Sequence, residues 1–438
     1  MSINTVRLLL RHAMTEPVHR ARRVQRLFPL LLLCLVAAPV LAGGFYLPQQ
    51  SARGTGMGES GLASLGELSL LHRNPASLSF LRGTMLSLGT TVVMPDTRFL
   101  PDGLPGVKMQ SQVLFPPNVA LSHTLGNGLA FGVSGSTPFS MKNEWDDGWI
   151  GSHQALRSEV RVVVLSPGVA FRLGSGASLG LALNFAFPHL QISRRVPAAF
   201  AGSPDPIASF DGTGTTGYGL TLGLLLRPTS NITLGLSYTS RMVLKTDDAS
   251  VTYSGLPDSL LASYSPRRAR TSMTTPDLVS AGLGGSLFPW LRVEADVSFA
   301  FWSTLKEIDI TFKDASPALS SGGLQTIPYN WRNSWSLYSG LEIPMGDVDL
   351  RAGYVFEQSP VPDQYLTPQI PDANRRGFSA GIGYWVSEGV RLDFAYQFLQ
   401  FDDRTVSPVV ETQTPGQISG TYTTTWTVLG IGVSYFWK

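Results

Sequence analysis

Cysteine and histidine are scarce in this chain, and their scarcity excludes several kinds of chemistry. The one cysteine, Cys34, lies in an N-terminal stretch that we predict to be removed, so the mature chain has no disulfide and no thiolate nucleophile. Beyond residue 42, no spacing typical of a metal site or a Ser/His pair occurs among the histidines, which are His72, His123, His153 and His189. We therefore expect no enzyme activity, no metal and no cofactor.

Charge and long apolar runs are also in short supply. Lys, Arg, Asp and Glu make up 15% of the residues with a net charge of +2, and no basic cluster beyond residue 42 indicates a nucleic-acid partner. No uninterrupted apolar run of about 18 or more residues follows residue 42, so the sequence predicts no membrane-spanning helix there. The mean hydropathy of +0.09 still suits a bilayer if lipid-facing and water-facing residues alternate.

Residues 1–42 are typical of a cleaved export signal. An apolar stretch at 27–38 follows a basic region, whose arginines are Arg20, Arg22, Arg23 and Arg26. Val40-Leu-Ala42 offers compact residues before a cleavage site, so we expect Gly43 to be the mature start. An uncleaved anchor is less favoured because the apolar stretch is short for a membrane span.

From residue 83 onward, short runs alternate apolar and polar residues. In the run 291–301, one face is apolar and the other carries Arg292, Glu294, Asp296 and Ser298. Strand side chains have a period of two, so one face would meet lipid and the other water. About fourteen such runs in series predict an all-β fold, a closed antiparallel barrel that spans the membrane as a multi-pass protein.

The predicted strands are joined alternately by long loops and tight turns. The strands are 83–94, 115–125, 128–145, 156–173, 177–196, 214–228, 231–253, 268–288, 291–313, 332–344, 347–360, 376–386, 389–404 and 422–438. This alternation is the usual asymmetry of bacterial outer-membrane barrels, with tight turns on the periplasmic side.

Inward charges on several of these strands predict a structural network across the lumen. They are Arg292, Glu294, Asp296, Asp349, Arg351, Arg391 and Asp393.

Residues 43–82 precede the first strand and lack its alternation. A barrel of this size encloses a water channel, a ligand cavity or a plug. A solvated tail would be more polar than this segment, whose apolar residues include Phe45, Leu47, Leu62, Leu65, Leu68 and Leu71. We therefore predict a signal peptide at 1–42, a plug, here called the hatch, at 43–82, and a barrel at 83–438. A short periplasmic tail is the alternative for 43–82.

Four motifs follow one another over most of the predicted mature chain. They are Gly43-Gly-Phe-Tyr-Leu-Pro-Gln-Gln-Ser-Ala-Arg-Gly54, Arg73-Asn-Pro-Ala76, Trp302-Ser-Thr-Leu-Lys-Glu-Ile308 and Phe356-Glu-Gln-Ser-Pro-Val-Pro-Asp363, the last continued by Pro368-Gln-Ile-Pro-Asp-Ala-Asn-Arg-Arg376. In this order they resemble the FadL/TodX family of outer-membrane transporters for long-chain fatty acids and other hydrophobic compounds. The resemblance implies a fourteen-stranded barrel, a hatch that contains Asn74, Pro75 and Ala76, and ligand exit sideways into the bilayer through a kinked third strand.

The predicted third strand contains a proline. Proline has no N–H to donate to a strand ladder, and lipid offers no substitute donor. From the residues alone, Pro138 fits the extracellular end of the strand equally well. Together with the resemblance, the proline predicts a lateral gate formed by Ser136, Thr137, Pro138 and Phe139.

A fatty acid needs an apolar slot for its tail and one or two donors for its carboxylate. The resemblance aligns Arg194 with a lumen arginine that contacts the ligand carboxylate in the family, and Arg195 is the alternative after a slip of one residue. Either arginine could instead be a solvated charge at the rim of the strand. The resemblance also aligns Phe45 with a residue close to the bound tail.

Three apolar residues near the outer end of the third strand suggest a first landing surface for hydrophobic ligand. They are Trp145, Trp149 and Ile150. Interfacial tryptophans are ordinary in membrane barrels, which is the competing interpretation.

Taken together, these observations predict a passive importer of the bacterial outer membrane. The expected partners are a long-chain fatty acid or another hydrophobic small molecule, outer-membrane lipid, and the barrel-assembly machinery during biogenesis, and we expect a monomer. A general porin and, more distantly, an outer-membrane lipid hydrolase are the alternatives. The ligand could be a fatty acid, an alkane or an aromatic hydrocarbon, because apolar pockets discriminate weakly between such chains.

Overall fold

The computed structural model describes residues 43–196, 205–256, 267–313, 324–406 and 418–437, so the predicted signal peptide lies outside the described residues. Fourteen antiparallel strands, β1 to β14, form a closed barrel, as predicted. Closure is made by β1 and β14, which pair from Thr84 opposite Trp437 to Pro101 opposite Gly420.

Half of the strands are unbroken, and the others consist of two segments with a short irregularity between them. The unbroken ones are β1 (Thr84–Pro101), β3 (Leu129–Glu144), β4 (Arg157–Leu173), β5 (Ala177–Arg195), β11 (Val348–Glu357), β12 (Arg375–Ser387) and β14 (Gly420–Trp437). The two-segment strands are β2 (Val107–Lys108, Pro117–Thr124), β6 (Ile207–Thr213, Gly217–Thr229), β7 (Ile232–Thr239, Val243–Ser254), β8 (Arg267–Thr274, Leu278–Phe288), β9 (Leu291–Ala300, Glu307–Phe312), β10 (Leu324–Pro328, Ser334–Met345) and β13 (Val390–Phe401, Arg404–Val406).

Helical structure is sparse in the described part of the chain. There, one short α-helix, α1 (Ala52–Gly56), is joined by 3-10 helices at Leu68–Leu70, Pro75–Phe80, Trp302–Thr304 and Asp363–Tyr365. In the described ranges, no helix is both long enough and apolar enough to cross a membrane.

The alternation of side chains matches the predicted faces. On β14, Leu429, Ile431 and Tyr435 are exposed on the outer surface, whereas the neighbouring Val428 and Ser434 are buried. Exposed apolar side chains on the outside would be costly in water but favourable in lipid. The outer face therefore meets lipid, and the inner face is free to carry polar groups.

Several strands extend further than the predicted boundaries. β1 continues to Pro101 rather than ending at residue 94, β6 begins at Ile207 rather than 214, and β10 gains the segment Leu324–Pro328. These extensions are held by ladder hydrogen bonds to neighbouring strands. Beyond the lipid-facing belt a strand no longer needs one apolar face, so its sequence loses the alternation on which the prediction depended.

Residues 43–82 lie inside the barrel. The helix α1 contacts the inner wall at β11 to β14, and the 3-10 helix Pro75–Phe80 contacts it at β4 to β6. Most side chains of the segment are buried, including Leu47, Leu62, Leu68 and Leu71, although Leu65 is exposed. The name hatch is kept for residues 43–82.

Candidate functional site

An ionic network fills the end of the lumen near the tight turns, here called the periplasmic half. Arg351 donates to Glu342 at 2.8 Å and to Asp393 at 2.7 Å, and Arg391 donates to Asp349 at 2.7 Å. The predicted network of inward charges is thereby confirmed. Glu342, the acceptor that the network shares, was not predicted. It lies on the same face of β10 as Ser336 and Gly340, and this alternation in the sequence could have identified it as an inward charge.

The same half of the lumen holds the hatch by its backbone. Asp296 of β9 accepts hydrogen bonds from the N–H groups of Gly61 and Leu62, both at 2.9 Å. Glu294 accepts from the Ala63 N–H at 2.6 Å. Arg73 of the hatch lies 3.5 Å from Asp296. Hatch donors that would otherwise be buried without partners are thus satisfied by carboxylates of the wall.

The predicted hatch motif lies against the opposite part of the wall. The Asn74 side chain accepts from the Ala76 N–H at 3.2 Å and donates to the Leu62 carbonyl at 2.9 Å. It also reaches the Leu224 carbonyl of β6 at 3.4 Å. Pro75 occupies the first turn of the 3-10 helix, where a missing N–H costs nothing. The motif therefore shapes the hatch and joins it to the wall.

Glycines of the wall allow this close approach. A Cβ added at Gly180 would overlap the backbone of Ala76, and one added at Gly353 would overlap the backbone nitrogen of Gly58. Only glycine lets two backbones approach this closely without displacement. The wall is therefore shaped to the hatch at these points.

The third strand is interrupted on both of its edges. Its ladder with β2 runs from Ala130 to Gly135 and resumes only where the Gln110 N–H donates to the Glu144 carbonyl at 2.8 Å. On the other edge, the register with β4 shifts between Ser136 and Phe139. Pro138 thus lies within β3 and not at its extracellular end.

Hatch residues complete the strand where β2 does not. Tyr46 forms an isolated bridge with Phe139. The Leu47 N–H donates to the Pro138 carbonyl at 2.8 Å, and the Gln50 side chain accepts from the Thr137 N–H at 2.8 Å. The predicted gate residues, including Ser136, are buried under this contact.

Aromatic side chains surround the bridge. The Phe45 ring centroid lies 4.7 Å from that of Trp302, 5.6 Å from Trp331 and 6.1 Å from Phe139. The structure therefore brings Phe45 and Phe139 together, as parts of one aromatic cluster. Trp331 was missed because the sequence around it carries no alternation and no motif.

The first residues of the hatch are tied to the most specific of the four motifs. The Gly44 N–H donates to the Asp372 carboxylate at 3.0 Å. Arg375 donates to the Tyr46 carbonyl at 3.1 Å and forms an ion pair with Glu357. The motif thus fixes one end of the segment that completes β3.

The two arginines that were predicted to bind a ligand carboxylate have different surroundings. Arg194 lines a cavity of about 120 Å³ together with apolar residues such as Phe210, Ile310 and Ile327. Among the residues that the structure describes, it forms no ion pair with a carboxylate. Arg195 instead donates to the backbone carbonyls of Asp147 at 3.0 Å and Asp205 at 2.6 Å. Phe45 does not line the Arg194 cavity, so the structure keeps these two predicted ligand residues apart.

The predicted landing surface needs correction. Trp145 and Trp149 stack with ring centroids 4.3 Å apart, and both are buried. Their indole N–H groups donate to the carbonyls of Pro368 and Ala155. Only Ile150 is exposed. A tryptophan at the top of a strand can turn inward under the loops when a carbonyl is there to accept its N–H, which the sequence alone does not reveal.

Within the described ranges, no group of three or more His, Cys, Asp or Glu side chains is arranged to hold a metal ion.

Comparison with known sequences gives a consistent result. The profile described as outer membrane protein transport protein (OMPP1/FadL/TodX) matches residues 33–437. Outer membrane protein P1 of Haemophilus influenzae is 21% identical over 416 residues, which cover 84% of this chain and 88% of that protein. The long-chain fatty acid transport protein of Escherichia coli K12 is 20% identical over 407 residues, covering 84% of this chain and 90% of that protein.

Solved structures share the fold. A Pseudomonas aeruginosa FadL homologue superposes with a TM-score of 0.78 at 20% identity, covering 90% of this chain and 99% of the other. The P. putida toluene transporter TodX superposes with a TM-score of 0.68 at 18% identity, covering 91% and 99%.

Proposed function

Since the chain belongs to the OMPP1/FadL/TodX family of outer-membrane transport proteins, we propose that it imports long-chain fatty acids or related hydrophobic compounds by passive diffusion. The names of two relatives support this range of ligands, one a long-chain fatty acid transport protein and the other a toluene transporter. The lumen supports it as well, because it holds an apolar aromatic cluster and a largely apolar cavity lined by Arg194, which forms no ion pair with a carboxylate among the described residues. Both suit a hydrophobic or amphipathic ligand.

The observation that carries the proposal is the completion of β3 by hatch residues. Where the wall lacks its own ladder, the Leu47 N–H and the Phe45 carbonyl supply the missing bonds to Pro138 and Ser140. Withdrawal of this short segment would open the wall between β2 and β3. A hydrophobic ligand gains free energy by leaving into lipid rather than into water.

Phe45 would couple the ligand to this opening. Its ring packs in the aromatic cluster, and its carbonyl holds Ser140 of β3. A ligand that takes the place of the Phe45 ring would therefore draw the same residue away from the strand. In this proposal residues 43–50 act as the gate, while the rest of the hatch plugs the periplasmic half of the lumen.

A disulfide across the bridge tests lateral exit. Tyr46 and Phe139 are direct antiparallel partners flanked by backbone hydrogen bonds, so their Cα atoms are about 4.5 Å apart, which suits a disulfide. The double variant Tyr46→Cys with Phe139→Cys should lose uptake of labelled fatty acid when oxidised and regain it when reduced.

The single variants Tyr46→Cys and Phe139→Cys are the controls. Each loses one of the two aromatic rings, and neither can form the crosslink. Their uptake should not respond to oxidation. Uptake that persists with the disulfide fully formed would mean that ligand leaves through the periplasmic mouth.

A lipid hydrolase is a more distant candidate function. Incubation of the purified protein with phospholipid should release no fatty acid, and sustained turnover that survives repurification would overturn transport as its sole role.

A further inference from the structure

A small cavity lies directly inside the interrupted part of β3, and its walls are chemically divided. It encloses about 40 Å³ and is called here the polar chamber. Its polar side includes His72 of the hatch, Ser136 of β3, Ser166 of β4 and Asn184 of β5. Its apolar side is formed by residues that include Pro138, Phe139, Val164, Met242 and Leu278.

Ser136 is a buried polar member of the chamber. Its side chain is 1% exposed, and its hydroxyl has no hydrogen-bond partner in the described part of the chain. A buried hydroxyl without a partner is unfavourable. A ligand hydroxyl in the chamber would supply that partner.

Other polar groups on the same side of the chamber are held in place by a chain of side-chain hydrogen bonds. The Ser166 hydroxyl donates to the side-chain oxygen Oδ1 of Asn184 at 2.8 Å, and the Asn184 side-chain amide donates to the Thr221 hydroxyl at 2.9 Å. Thr221 in turn lies 3.1 Å from the Thr239 hydroxyl. These bonds run across β4 to β7, so the polar groups are fixed before any ligand arrives.

The chamber offers no free positive charge. Arg73 borders it, but its guanidinium is engaged by the Glu59 carbonyl and the Asp296 carboxylate. Desolvation inside the barrel and the nearby Arg73 charge lower the pKa of His72 to about 3, so the imidazole is neutral. Placing a carboxylate here would desolvate a charge without a compensating partner.

We infer that the polar chamber is a head-group site at the lateral gate, which takes the uncharged hydroxyl of an amphipathic ligand such as an alcohol or a phenol. The hydroxyl would bond to Ser136 and its polar neighbours, while the hydrocarbon part lies toward Phe139, Met242 and Leu278. A carboxylic acid would occupy the site only in its protonated form. This inference rests on the proposed lateral passage and narrows its ligand class.

Paired ligands that differ by one hydroxyl test the site. Binding of octane and of 1-octanol to the mature protein in nanodiscs would be measured by tryptophan fluorescence, and the preference is the ratio of the two dissociation constants. Ser136→Ala should reduce the preference for 1-octanol about two- to tenfold, as expected for one neutral hydrogen bond. His72→Leu, which removes a polar group that the hatch contributes to the chamber, should reduce it in the same direction.

Ser134→Ala is the matched control. Ser134 is also a buried β3 hydroxyl without a described partner, but it does not line the chamber, so the preference should not change. Folding of each variant would be checked by heat-modifiable electrophoresis. An unchanged preference in both Ser136→Ala and His72→Leu would overturn the head-group site alone. If the unmodified protein bound neither probe, the proposed transport function would fail with it.

Discussion

The two halves of the lumen are filled by different kinds of side chains. The periplasmic half holds the network of Arg351, Glu342 and Asp393 and the carboxylates that bind the hatch backbone. The half near the long loops, here called the extracellular half, holds an apolar cluster that includes Phe45, Trp302 and many aliphatic side chains.

From this difference we expect one part of the hatch to stay fixed and another part to move. Residues 51–82 are held by buried charge-assisted hydrogen bonds, which are roughly twice as strong as neutral ones. Residues 43–50 are held mainly by neutral backbone bonds to β3 and by aromatic packing, although Asp372 and Arg375 also hold Gly44 and Tyr46. A hydrophobic ligand can replace aromatic packing, but it cannot replace a carboxylate. The gate is therefore expected in the extracellular half and the plug in the periplasmic half.

Deletion of residues 43–82 should have the largest effect, because it removes the plug from the periplasmic half of the lumen. Planar-bilayer conductance should be small in the intact protein and should rise to a large, steady value in the deletion variant. A large, steady conductance in the intact protein would instead favour a general porin.

Loss of one wall carboxylate should loosen the plug without removing it. Asp296→Ala leaves Arg73 and two hatch N–H groups without their acceptor, which should cost about 3–5 kcal/mol of stability. Urea unfolding should show the loss, and limited proteolysis should cut the hatch faster. Asp248→Ala is the control, because Asp248 pairs with Lys313 and Arg268 on the surface and should change little. Equal effects would mean that Asp296 does not anchor the hatch.

In the extracellular half, removal of the Arg194 side chain should affect ligand binding rather than stability, because it has no carboxylate partner among the described residues. Arg194→Ala should weaken fatty-acid binding by about tenfold to a hundredfold, from the roughly 1.5–3 kcal/mol of a charge-assisted bond, while binding of neutral hydrocarbons is kept.

Arg195→Ala is the neighbouring control, because that side chain is engaged by loop carbonyls, and the ratio of acid to hydrocarbon affinity should not change. Equal losses for acids and hydrocarbons in Arg194→Ala would show an effect on packing. No loss in either single variant or in the double variant would remove both arginines from the ligand site.

The smallest expected effect is that of a glycine substitution where the hatch packs closely against the wall. Gly353→Ala places a Cβ against the backbone of Gly58, and overpacking of this kind typically costs about 1–3 kcal/mol. Gly135→Ala is the control, since a Cβ there meets nothing within 4 Å. The midpoint of urea unfolding should fall for Gly353→Ala only. An equal fall in both variants would point to the loss of strand glycine as such.

Much of the architecture was predictable because strands that span a membrane alternate apolar and polar residues regularly. Alternation in β9 and β14 identified the lipid face, and the proline of β3, taken together with the family resemblance, predicted the interruption of that strand. The inward charges were predictable for the same reason, since a charge on a spanning strand must face the lumen.

Other parts of the site have no such regular pattern in the sequence. Arg194 and Arg195 are adjacent and chemically identical, yet one lines a cavity and the other holds loop carbonyls. Trp145 and Trp149 were predicted to be exposed and are buried. In each case the outcome depends on a loop or a distant strand that supplies the partner.

The sequence by itself determined that the chain is a strand-built outer-membrane barrel, because residue type and spacing decide which side of a strand can face lipid. Only the tertiary structure decided that Pro138 lies within β3, that Tyr46 completes this strand, that Glu342 joins the ionic network, and that Ser136 faces a polar chamber. Those contacts join different strands, or the hatch and the wall, and their geometry is set by how fourteen strands close around the hatch.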